Sequence, residues 1–193
     1  MPHDFRPARP VSVRPYFLAT LLALTACSRP KPLENFGQVP PFRLTAQDGS
    51  TFDSTALRGK VWVADFIFTN CEGPCPRMSG KMETLQREAP ETLRLVSFSV
   101  DPARDTPAVL AKYARQFHAD TRRWTFLTGE RAALNQLGTT AFHLQAVDGT
   151  LVHSTRFALV DRKGRIRGYY SIGSDDPVGQ LTADAKRLED EPQ

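Results

Sequence analysis

Apolar and polar residues alternate in two short runs, FRLTAQDGSTF (residues 42–52), set around Asp48-Gly49. Asp-Gly between such runs is a hairpin signal. The pattern then changes. KVWVADFIF, Lys60 to Phe68, has almost no polar interruption apart from Asp65, as expected of a central strand buried on both faces. PRMSGKMETLQRE brings Met78, Met82 and Leu85 to helical spacing, with Pro76 where a first helical residue stands. TLRLVSFSV, ending at Val100, reads as a second buried strand. DPARDTP (101–107) breaks the chain, and Asp105 or Thr106 can cap a helix from Pro107 to Phe117. WTFLT (124–128) is a strand, and ERAALNQLG a short helix closed by Gly138. TRFALVD and GRIRGYYS form a hairpin through Arg162-Lys163-Gly164, and a last helix runs from Pro177 to about Leu188.

Strands alternating with helices indicate an α/β fold. The order resembles the thioredoxin-like one: a strand, a cysteine pair at a helix N-terminus, that helix, another strand, then a final hairpin and helix. The expectation is a central mixed sheet flanked by helices, with an N-terminal β-hairpin extension, over residues 42–190. A chain of 193 residues suits one well-buried domain of this kind.

The N-terminus obeys a different logic. Arg6, Arg9 and Arg14 precede the apolar run YFLATLLALTA (16–26), which is right for a signal peptide and too short to cross a bilayer. It ends in Leu24-Thr25-Ala26-Cys27, which resembles the bacterial lipobox, where the cysteine is lipidated. Residues 1–26 are therefore expected to be a removed signal, and 27–41 a lipidated Cys27 with a proline-rich tether. In extended form Ser28–Pro41 reaches roughly 40 Å. The chain is thus expected outside the cytoplasm, anchored to a bacterial membrane. Without residues 1–26 the chain keeps 22 basic and 20 acidic residues, a net of +2, which gives no reason to expect nucleic-acid binding.

If lipid takes Cys27, Cys71 and Cys75 are the remaining thiols, and outside the cytoplasm they oxidise unless something reduces or binds them. Cys75 just precedes the expected helix at Pro76, whose positive N-terminus favours a thiolate. Three residues, Glu72, Gly73 and Pro74, separate the pair, where thioredoxin-type reductases have two. Thr69 lies two positions before Cys71, not three as in peroxiredoxins. A closed zinc site needs about four ligands, more than two cysteines and scattered histidines supply. Where thioredoxins carry a proline before the hairpin strand, this chain has His153. Two sulfurs and one imidazole form a soft set suited to Cu(I) and able to hold Cu(II); the plainer reading of His153 is a polar residue at a strand entrance. Met78 and Met82 read as core, His118 as a surface or C-cap histidine, and Asp101 and Asp105 as shaping their loop. His143 reaches the site only if its strand alternation points it there.

FIFTNCEGPCP, SVDPARDTP, WTFLTG and VHSTRFALVDRKGRIRGYY together resemble the Sco/SenC family of thioredoxin-like copper proteins, from about Asn35 to Leu181. The resemblance implies copper on Cys71, Cys75 and His153. It also implies a role in assembling the binuclear copper centre of cytochrome c oxidase, with a copper-accepting oxidase subunit or another thiol protein as partner. The alternative is a thiol-disulfide oxidoreductase in which Cys71 attacks and Cys75 resolves; a copper-buffering lipoprotein is a third class. Glu72 and Val152 depart from the family's usual Pro and Asp, the latter a partner able to tune metal affinity.

Overall fold

The Asp65 strand organises the fold. β3 (Trp62–Ile67) is buried at every position and lies inside a seven-stranded sheet, ordered β2-β1-β5-β4-β3-β6-β7. The other strands are β1 (Arg43–Ala46), β2 (Thr51–Asp53), β4 (Arg94–Ser99), β5 (Trp124–Thr128), β6 (Arg156–Val160) and β7 (Ile166–Ser171). β3, β4 and β5 run parallel, with Asp65 opposite Ser97 and Phe66 opposite Phe98, while β1 and β6 join antiparallel. The computed structural model describes Met1, residues 31–144 and residues 154–192. The chain divides into Met1–Lys31 and a compact unit, Pro32–Gln193, which contains the sheet and all the helices named below.

Because β3 is apolar on both faces, both must be covered. Val61, Val63 and Ile67 pack with α1 (Pro74–Glu88), α2 (Pro107–Gln116) and α4 (Pro177–Asp190) through Met78, Met82, Leu85, Leu110, Tyr113 and Leu181. Trp62, Ala64 and Phe66 pack on the opposite side with Leu44, Leu134, Leu137 and Phe142. There Phe66, Phe98 and Phe142 interlock at centroid separations of 5.1, 5.5 and 5.7 Å. Each buried ring is worth roughly 2–3 kcal/mol by area. Met78 and Met82 are core residues, as the helical spacing requires.

The expected hairpins form, with Gly49 and Gly164 supplying the left-handed φ of 83° and 77° that their turns require. Two boundaries differ. α1 begins at Pro74 rather than Pro76, so Cys75 belongs to its first turn. The helix expected to close at Gly138 instead passes from α3 (Arg131–Asn135) into a π-turn, Gln136–Ala141, which carries Leu137 and Ala141 into the core and runs on to the buried Phe142.

Part of the segment read as tether is docked. Phe36 N–H donates to Ile166 O, Ile166 N–H to Gly37 O and Val39 N–H to Gly164 O, each at 2.9 Å. Arg167, only 6% exposed, donates to Leu33 O (2.8 Å) and Glu34 O (3.0 Å) while pairing with Asp161 and Glu191, both at 3.0 Å. One guanidinium therefore ties the N-terminal segment, the β6–β7 turn and the end of the chain after α4. No helix among the described residues is long and apolar enough to cross a membrane.

Removing the buried cation strips Asp161 and Glu191 of an ionic partner and two carbonyls of their donor. Arg167→Met is expected to cost about 3 kcal/mol in urea unfolding and to open residues 33–39 to protease; an unchanged cleavage pattern contradicts the clamp.

Candidate functional site

Parallel β3, β4 and β5 end at one edge of the sheet, and loops after such ends are where α/β sheets place ligand chemistry. Phe68, Thr69 and Asn70 carry the chain from β3 to Cys71, and Gly73 precedes α1. Cys75 is fully buried in the helix-side core, whereas Cys71 is half-exposed and packs at its margin. Phe68 N–H donates to Cys75 Sγ (3.5 Å), and Gly73 N–H to Cys71 Sγ (3.4 Å). Both sulfurs thus receive backbone donors.

For Cys75 burial outweighs that help. Desolvation pushes its thiol well up, the amide of Phe68 offsets only part, and Cys71 and the charge of Asp65 push it further. The lowering expected from the helix N-terminus is overridden, because a helix dipole is worth at most ~2 kcal/mol and the sulfur has lost its water. The pair is therefore asymmetric: an accessible sulfur above a protected one.

Beneath it lies Asp65, 0% exposed, with no hydrogen-bond partner for either carboxylate oxygen among the described residues. The Ser97 hydroxyl opposite accepts from Trp124 Nε1 at 2.9 Å and, through its own proton, only partly eases the burial of the Asp65 carboxylate. Burial raises Asp65 to about 7. Asp105 is equally buried but well served: Thr69 Oγ1 donates to Oδ1 and Ser99 Oγ to Oδ2, both at 2.6 Å. Burial pushes it up, against those bonds. The cap of α2 is Thr106, which accepts from Val109 N–H at 3.4 Å. Asp105 therefore faces the cysteine loop instead of capping the helix. Asp101 binds Arg104 at 3.2 Å and donates its N–H to Ser99 Oγ at 3.0 Å, shaping the loop as expected.

His118 is exposed, with left-handed backbone (φ 48°), and pairs with Glu83 at 3.0 Å. His143 is also exposed, at φ 50°, beyond the π-turn. His153 and Cys27 lie outside the described residues. Among those described, no cluster of three metal-ligating side chains occurs. Asp65 was legible as the sole polar residue of an apolar run; the contact of Asp105 with Thr69, 36 positions apart, left no pattern.

A mixed sheet with three parallel strands, helices on both faces and a cysteine pair at the start of α1 defines a thioredoxin-like domain. The family model described as SCO1/SenC matches residues 31–188. A SCO1/SenC family lipoprotein from Bacillus anthracis is similar at 38% identity and TM-score 0.73, covering 82% of this chain and 97% of that one. BsSco, a member of the Sco family of cytochrome c oxidase assembly proteins with an identified disulfide switch, gives 30% and 0.73, covering 84% and 100%. Copper-bound ScoI of Bradyrhizobium japonicum gives 26% and 0.65, covering 79% and 99%. The chain belongs to the SCO1/SenC family.

Asp65 makes stability depend on pH. Unfolded, it ionises near 4; folded, it keeps its proton to about 7. Folding takes up a proton between those values, so stability falls as pH rises from about 4 to about 7, by roughly 4 kcal/mol for this group, and stays at the lower level above. Asp65→Asn is expected to flatten that slope in urea titrations at several pH values. A wild-type slope in the variant rules Asp65 out as its source.

Proposed function

We propose that this chain is an extracytoplasmic copper chaperone, anchored to the membrane through lipid on Cys27, that holds copper on Cys71, Cys75 and His153. Residues 1–26 are its removed signal, residues 27–41 the anchored approach to the domain, and the copper centre of cytochrome c oxidase its destination. One observation carries the reading: two soft sulfurs at the exit of the central strand, one accessible and one buried, in a chain of this family. A copper-bound relative and a relative that is a lipoprotein support it.

The asymmetry suits transfer. Cys71 meets an incoming ion or an acceptor thiolate at the surface, while Cys75, shielded from water, retains the ion until exchange is under way. Thiolate ligands must lose protons to bind, so the high proton affinity of Cys75 opposes loading at low pH. His153 supplies the third ligand, a nitrogen donor outside the described residues.

The same pair supports a second reading, thiol-disulfide exchange, favoured by the disulfide switch identified in BsSco. Thiolate Cys71 attacks an acceptor disulfide and displaces one acceptor thiolate. Cys75, losing its proton, then attacks Cys71 Sγ and releases the second. The acceptor gains two electrons from the pair, which becomes a disulfide; one of the acceptor's two protons comes from Cys75 and the other from solvent.

Anaerobic Cu(I) competition on a soluble form beginning after Cys27 tests the first reading. One copper per chain is expected, weakened by at least about tenfold in His153→Ala and further in Cys71→Ser/Cys75→Ser. Binding indifferent to His153 removes it from the ligand set. A stable mixed disulfide captured by Cys75→Ser, with no tight copper in wild type, establishes exchange instead.

A further inference from the structure

The loop that delivers Cys71 is held by a residue far from it in sequence. Phe68 spends its N–H on Cys75 Sγ. Thr69 turns both its hydroxyl and its N–H to Asp105: Oγ1 to Oδ1 at 2.6 Å, N–H to Oδ1 and Oδ2 at 3.3 and 3.4 Å. The second carboxylate oxygen is taken by Ser99 Oγ, and Ser99 stands at the end of β4, whose register to β3 runs through Ile67. Asp105 N–H donates to Asp101 O at 2.9 Å, which fixes the carboxylate's own backbone. A side chain anchored to the sheet thus grips the chain two residues before Cys71. Arg104, the adjacent cation, is engaged with Asp101, and hydroxyls and an amide do the holding.

A buried carboxylate carries a desolvation penalty, which Asp105 offsets with these short bonds from hydroxyls. A helix cap does not account for it, since Thr106 performs that task. What the arrangement does control is distance. Cys75 is fixed within α1 and the core, so the separation of the two sulfurs depends on where the loop puts Cys71. An ion shared by two thiolates, or a disulfide of about 2 Å, tolerates little variation in that separation.

We propose that Asp105 is the positioning residue of the cysteine pair: by gripping Thr69 it sets Cys71 relative to Cys75, and with it the Cu(I) affinity and the reduction potential of the pair. The inference rests on the reading of Cys71 and Cys75 as copper ligands, and adds to it a residue that touches no ion.

Thr69→Val removes the hydroxyl at nearly constant shape, Thr69→Ser keeps it, and Asp105→Asn weakens the acceptor. Val61→Ala, in the core just before the start of β3 and away from the cysteine loop, controls for lost stability alone. Each variant is measured for Cu(I) affinity, for the pair's potential against a glutathione buffer, and for its unfolding midpoint. Thr69→Val and Asp105→Asn are expected to weaken copper by about tenfold or more and to shift the potential. Thr69→Ser restores both, and Val61→Ala loses stability with neither changed. Folded Thr69→Val with wild-type affinity and potential overturns the proposal, as does an equal loss in Val61→Ala. If Asp105→Asn does not fold, the Thr69 pair decides. If wild type takes no Cu(I), the copper reading fails, while the potentials still judge the positioning.

Discussion

Burial of β3 on both faces is the constraint on which the rest of the structure depends. A strand with no solvent face needs helices above and below the sheet, and α1, α2 and α4 on one side with α3 and its π-turn on the other supply them. It also needs paired neighbours on both edges, which β4 and β6 provide. Having crossed the core, the chain emerges at the edge where β4 and β5 also end. The cysteine loop sits there because the central strand leaves it nowhere else to go.

This core is not wholly apolar: Asp65, Asp105 and Cys75 are buried in it. Asp65 is buried with only the Ser97 hydroxyl opposite it to ease its charge, Asp105 with several donors, and Cys75 with an amide donor from Phe68. A buried group lacking its full complement of bonds is driven towards its neutral form by the surrounding fold. Cys75 is raised chiefly by its own burial, and the charge of Asp65 adds a smaller push in the same direction. Burial above all makes the protected sulfur reluctant to ionise.

Away from the cysteine loop, Arg167 performs the complementary task. Its bonds to Leu33, Glu34, Asp161 and Glu191 shorten the part of the N-terminal segment that can extend as a spacer. The stretch with spacer composition is therefore partly structural. Prolines read as a stiff tether also serve as the lead-in to β1, with Phe36 edge-on to Tyr169 at 5.2 Å.

Local rules carried much of this protein. Strand periodicity, the Asp48-Gly49 and Gly164 turns, and the prolines at the starts of α2 and α4 are readable because each depends on neighbours a few residues away. So is the motif set that marks the SCO1/SenC family, and with it the two cysteines. Three matters were decided by tertiary structure alone. The proton affinity of Cys75 reversed, because desolvation comes from residues distant in the chain and overwhelms the local helix dipole. Asp105 left the helix cap for Thr69, and the proline-rich lead-in docked on β7 through Arg167. Both of these are contacts across more than thirty positions. Local sequence pattern encodes propensity, whereas burial and long-range partnership exist only once the chain has closed on itself.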